Sequence, residues 1–242
     1  MTVLLFAVLL QVVLAGAARP GQQAPPPEPP QYEIVTQEGA PLRIVSVQTK
    51  WAVPDRTGIE IYATVENVGA KPISSYATRN VGGDEGEGGK HCLLISAHSP
   101  GKALRPGDSE GRSTWTGVGA GTPAVMRRAV DWVEFTDGAT WGEDTCKSAE
   151  ALAAWRAGAR EARRLLREVF ASGGADAVLE TLKQHGPKVS PPDGHSDAWK
   201  AGFLRGVEGY ADRVRRADQE WGYTEIEYAL RRPIDALDEK SP

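Results

Sequence analysis

The pentapeptide Gly107-Asp108-Ser109-Glu110-Gly111 has the G-x-S-x-G spacing that can present a nucleophilic serine. That chemistry needs a strand before the serine and a helix after it, so that the hydroxyl stands beside backbone oxyanion donors. Here a Pro-Gly turn precedes Ser109 and a strand-like run at 112–116 follows, so the string reads as a turn entering a strand. A second constellation, Asp193-Gly194-His195-Ser196-Asp197, places an imidazole between two carboxylates. It reads more simply as a loop in which Ser196 caps the next helix. The segment 82–90 is rich in glycine and carries Asp84, Glu85 and Glu87. Asp84 stands where a phosphate loop needs its first glycine, His91 replaces the Ser/Thr, and three carboxylates would repel phosphate. Carboxylates suit calcium, but the EF-hand order of ligands is absent, which leaves a flexible loop. His91 and His98 are seven apart and would point to opposite faces of one strand. No catalytic, cofactor-binding or metal-binding residue is assigned on these grounds, and no cofactor is expected.

The two cysteines, Cys92 and Cys146, are the remaining chemistry. In an oxidising compartment an even count points to one disulfide, worth about 4 kcal/mol by loop-closure entropy over this separation; two buried free thiols are the alternative. The compartment is suggested by residues 3–14, an apolar run too short to span a bilayer, followed by Ala15-Gly16-Ala17-Ala18. This pattern predicts a signal peptide over 1–18 and an exported chain, periplasmic or extracellular. No later stretch is apolar enough for a membrane helix, so the mature chain is expected to carry no integral membrane segment. Charge is close to balanced throughout. Residues 32–146 hold 11 basic and 15 acidic side chains, and residues 147–220 hold 13 and 11. Neither part has the cationic excess of a nucleic-acid binder, so no nucleic acid is expected as a partner.

The elements that would position these residues follow from periodicity. Residues 19–31 are a proline-dense linker that favours extended polyproline II. Strand patterns occur at 32–37, 42–52, 58–68, 73–81, 91–98, 108–116 and 126–136, separated by Gly/Pro/Asp turns. An Asp137-Gly138 turn then folds 139–142 back on the last of them. Alternate loops of such an arrangement, 53–57, 82–90 and 117–125, should gather at one end. If Cys92 bonds Cys146, the helix that begins near Lys147 should pack on the sheets instead of trailing from them.

After Cys146 the period changes. Leu152, Trp155, Ala159, Ala162, Leu166 and Val169 form an apolar helix stripe, with Arg156, Arg160, Arg163, Arg164 and Arg167 on the opposite face. Gly173-Gly174 ends this helix, and a shorter one spans 176–185. A loop leads to a long helix carrying Trp199, Phe203, Gly206, Tyr210, Val214 and Trp221. Thr224 with Glu227 suggests a capped last helix. The first and third helices are expected to pair as an antiparallel hairpin.

Two short motifs, Asn67-Val68-Gly69 and Leu104-Arg105-Pro106-Gly107-Asp108, resemble those of bacterial extracellular Ig-like modules of the cell-adhesion-related kind. The resemblance covers residues 42–135. It implies a sandwich fold, export and a noncovalent binding or spacer role, with no shared catalytic residues. The resulting expectation is an α+β chain: an all-β Ig-like sandwich over 32–146, then a separate α-helical domain over 147–242. The function expected is an exported noncatalytic binding or structural module, its partner an unidentified protein or envelope component. The alternatives are a secreted hydrolase using Ser109 or the His195 loop, and a protein that homo-oligomerises through its helices.

Overall fold

Residues Ile59, Ile61, Ala63 and Val65 alternate with Glu60, Tyr62, Thr64 and Glu66, and the apolar set is buried. This alternation makes β3 (Gly58–Asn67) the central strand of a three-stranded antiparallel sheet, flanked by β2 (Leu42–Trp51) and β6 (Ser109–Gly117). The computed structural model describes residues 28–52, 57–81, 92–96, 103–118, 122–184, 186–221, 223–232 and 234. A second sheet contains β1 (Gln31–Ile34), β4 (Ile73–Val81), β5 (Cys92–Ser96), β7 (Val125–Phe135) and β8 (Thr140–Gly142), in the order β1-β7-β4-β5. β8 shares the β7 edge with β1, which pairs parallel to β7 at Val125–Arg128 while β8 pairs at Trp132–Glu134. The chain is therefore mixed α+β, as expected. The two sheets share a core in which Leu42, Ile44 and Val65 meet Tyr76, Val130 and Val133.

The two short motifs singled out in the sequence meet in space. Asn67 accepts from Gly107 N–H through its carbonyl at 2.8 Å and donates its amide to Asp108 O at 3.0 Å. Its buried side chain donates to Lys71 O and Leu104 O at 2.9 and 2.8 Å and accepts from Gly69 N–H at 3.0 Å. A buried amide with all these bonds made fixes the turn after β3 against the turn before β6. Gly107 sits at φ +81°, a conformation that favours glycine.

Three helices follow: α1 (Ser148–Gln184), α2 (Asp197–Trp221) and α3 (Tyr223–Arg231). α1 is broken at Gly174, whose φ of 68° is not helical, so it comprises the two helices expected on either side of the glycine pair. Asp144 caps its start, accepting from the N–H groups of Ser148 and Ala149 at 2.5 and 3.1 Å. α3 begins at Tyr223, and the Thr224 side chain expected to cap it lies outside the described residues.

The expected antiparallel hairpin is corrected by the contacts between α1 and α2. Their starts lie together, with Ser196 Oγ donating to Glu150 Oε1 at 3.3 Å. Further along both, a Cβ at Gly158 would stand 1.9 Å from Phe203 O, and one at Gly206 would stand 2.0 Å from Trp155 O. The first part of α1 and α2 thus run in the same sense and cross with their backbones touching. The connection from Gln184 to Asp197 is long enough to return the chain to the start of α1.

Candidate functional site

β4 and β7 are buried along nearly their whole lengths, from Ile73 to Thr78 and from Arg128 to Glu134, which requires cover on both faces of their sheet. The inner face meets the three-stranded sheet. The outer face meets α1, where Ala77 and Trp132 pack on Leu152 and Trp155. Within this contact Arg156 grips Glu134 with two hydrogen bonds, Nη1 to Oε1 at 2.9 Å and Nη2 to Oε2 at 2.6 Å. Both side chains are only 10% exposed. The Ser74 hydroxyl donates to Glu134 Oε2 at 2.9 Å. The sequence pattern placed Arg156 on the solvated face of its helix; the structure buries it as the ionic anchor of the joint.

Beside the anchor, Asp131 holds the approach to α1. Its carboxylate accepts from Thr145 Oγ1 at 2.6 Å and from Cys146 N–H at 3.0 Å. Arg79 Nε lies 2.9 Å from Asp131 Oδ1 as an ion pair, without hydrogen-bond geometry. Cys92, opposite Arg79 in the ladder, is bonded to Cys146 with Cα atoms 5.9 Å apart. β8 supplies the fold-back that brings Cys146 there. The disulfide, Asp131 and the Glu134–Arg156 pair together bind the helices to the five-stranded sheet.

With that face covered, the outer face of the β2-β3-β6 sheet carries exposed aromatics. Trp115 is 60% exposed and Tyr62 46%. Trp115 Cζ2, Nε1 and Cε2 all lie 2.5–2.6 Å from where a Cβ on Gly58 would stand, so the indole lies flat across that glycine. Tyr62 lies over Gly111, its hydroxyl 1.9 Å from the corresponding point. Charges on this face are matched: Arg43 with Glu66 at 2.5 Å and Lys50 with Glu60 at 2.9 Å. Ser113 donates to Glu60 Oε1 at 2.6 Å, and this bond, with Lys50 beside it, holds the Glu60 carboxyl below its usual range.

Between the sheets, Arg128 is 1% exposed and has no carboxylate partner among the described residues. It donates to Thr78 Oγ1 at 3.0 and 2.7 Å and to Asn80 Oδ1 at 3.4 Å, with the Tyr32 ring 5.7 Å away. Burial pushes its guanidinium below the ordinary range, and burial likewise pushes the Tyr32 and Tyr76 phenols up. Neither phenol oxygen has a hydrogen-bond partner among the described residues. This polar half of the core was not visible from strand periodicity, which marks Thr78 and Asn80 only as alternating positions.

Among the described residues, the two candidates for catalysis, Ser109 and His195, stand at different elements. Ser109 is the first residue of β6, opposite Glu66, and a strand follows it. His195 lies in the loop two residues before α2, stacked on Trp199 with ring centroids 3.7 Å apart. Ser196 accepts from Trp199 N–H at 3.1 Å, the capping role expected of it. Among the described residues no three His, Cys, Asp or Glu side chains are grouped to hold a metal ion, and no helix is long and apolar enough to cross a membrane. Residues 82–90, His91, His98 and His185, and most of the loops expected to gather at one end, lie outside the described residues. No protein-family model matches the chain, and no curated protein matches it.

Proposed function

We propose that the chain is an exported, noncatalytic binding module: an Ig-like sandwich whose one face is clamped by helices and whose other face is presented to a partner in the cell envelope. The strand order supports the Ig-like reading. A β2-β3-β6 sheet facing β8-β7-β4-β5, with β4 leading to β5 and β6 to β7, is the Greek-key order of such domains, and β1 adds a parallel edge strand. Export is supported by the Cys92–Cys146 bond and the short apolar leader pattern. In this reading residues 32–146 form the sandwich and 147–242 the helical part. Binding is supported chiefly by the asymmetry of cover. The five-stranded sheet is sealed by a buried ion pair and a disulfide, while the three-stranded sheet leaves Trp115 and Tyr62 in solvent.

The test is co-sedimentation of the purified mature chain with envelopes from cells that produce it. Saturable sedimentation, unchanged by Ser109→Ala or His195→Ala, is expected. A protein that stays in the supernatant, or a hydrolytic turnover abolished by either substitution, would contradict the reading.

A further inference from the structure

The open face of the β2-β3-β6 sheet has an unusual layout for a protein-binding surface. Its two aromatic rings lean apart, Trp115 toward Gly58 and Tyr62 toward Gly111. Gly111 is opposite Thr64 in the ladder, so the ring positions are separated along β3 by the stretch from Gly58 to Thr64, roughly 20 Å at about 3.4 Å per residue. The strip between them is polar and includes Glu60, Ser113, Gln48 and Lys50. Protein interfaces have the reverse layout, an apolar centre inside a polar rim. The charges in the strip are paired, Lys50 with Glu60 and Arg43 with Glu66, so the face offers little net field to a nucleic acid, an anionic lipid or a charged peptide.

What fits is a neutral chain with alternating apolar and hydrogen-bonding character. A pyranose ring has a face of C–H groups, whose positive edges suit the negative face of an aromatic ring, and a rim of hydroxyls that both donate and accept. Glycines beneath the rings hold them flush with the sheet and leave their upper faces open. Neither the Trp115 indole N–H nor the Tyr62 hydroxyl has a hydrogen-bond partner among the described residues. We propose that this face binds a neutral polysaccharide, with Trp115 and Tyr62 stacking on sugar rings several units apart and the polar strip bonding the hydroxyls between them. The inference rests on the noncatalytic binding role above and specifies its ligand class. The ring spacing requires a chain, so oligosaccharides should bind more tightly as they lengthen to span both rings.

The experiment uses the full mature chain and its Trp115→Ala and Tyr62→Ala variants, both exposed positions, with unchanged far-UV circular dichroism as the folding control. Binding is measured by depletion on microcrystalline cellulose and chitin, and by native affinity gels containing mixed-linkage β-glucan, galactomannan or hydroxyethylcellulose. The expected result is binding to at least one of the five, weakened at least tenfold by each substitution and insensitive to about 1 M salt, where the screening length is about 3 Å. Absence of binding to all five overturns the proposal, as does binding that the two variants retain. A Trp115→Ala variant that loses self-association instead also overturns it, by making the face an interface between copies. Envelope sedimentation separates the two readings: if Trp115→Ala still sediments with envelopes while no polysaccharide binds, only the ligand class fails.

Discussion

Removing Arg156 alone should be far more damaging than removing it together with Glu134. In the Arg156→Met variant the Glu134 carboxylate, 10% exposed in the parent, keeps only the Ser74 hydroxyl as a side-chain donor among the described residues. An uncompensated buried charge of this kind costs about 3–5 kcal/mol. Glu134→Leu takes both carboxylate oxygens away from the buried Arg156 guanidinium and should also destabilise. The double variant replaces the pair by apolar groups of similar volume and should fall within about 2 kcal/mol of the parent, because such exchanges are often close to neutral. The single losses therefore should not add, and the cycle should return a coupling of several kcal/mol. The assay is urea unfolding at fixed pH, followed by far-UV circular dichroism and tryptophan fluorescence, with differences read from midpoints at constant slope. Arg167→Ala on the exposed face of α1 serves as the reference and should change stability by less than about 0.5 kcal/mol. Additive single losses, or an Arg156→Met cost below about 1 kcal/mol, would show that the two side chains do not meet in a dry contact and would refute the reasoning.

Other consequences are open to measurement. Replacing both Cys92 and Cys146 by alanine should lower stability by about 4 kcal/mol, the loop-closure value for a separation of 54 residues, seen as a fall in the urea midpoint; an unchanged midpoint would argue against the bond. Gly206→Ala should destabilise by about 1–3 kcal/mol because its Cβ would meet Trp155 O at 2.0 Å, whereas Gly209→Ala, with nothing nearer than 3.5 Å, should stabilise by up to about 1 kcal/mol. Equal thermal shifts for these two variants would contradict the close helix crossing. Burial raises the Tyr32 and Tyr76 phenols above 10.0, so the unfolded chain ionises them first. Their contribution to stability is intact below about pH 10 and declines above it, and ultraviolet titration should show at least these two tyrosines resisting ionisation until the chain unfolds.

Most element positions were legible because local pattern and burial agree. β3 alternates cleanly, and the bounds of β2, β4 and β7 lie within a residue or so of the apolar-polar pattern. The direction of α2 against α1 was not legible, since a stripe such as Leu152 to Val169 identifies a buried face without giving the sense of its neighbour. The length of the segment after Gln184 was the available signal, because only a long connection permits helices of the same sense. Arg156 was misplaced for a related reason. A single stripe was drawn through Leu152 and Trp155, while Ser148, Leu152 and Arg156, spaced four apart, form a second buried row that faces the sheet. The strands carried the matching clue: Ala77 and Trp132 are apolar at outward positions, and Glu134 sits in a strand buried on both faces. An acid so placed calls for a cationic partner. The flat seating of Trp115 on Gly58 depends on ladder register, which alternation alone does not specify.

The central claim is that the helices seal the five-stranded sheet and leave the three-stranded sheet open. Hydroxyl-radical footprinting of the native protein tests both halves at once, with oxidation of each tryptophan read by peptide mass spectrometry. Trp132, 2% exposed beneath α1, should be protected, and Trp115, 60% exposed, should be among the most rapidly oxidised of the seven tryptophans. Comparable oxidation of Trp132 and Trp115 would mean that the helices do not cover the sheet, and the account would fail.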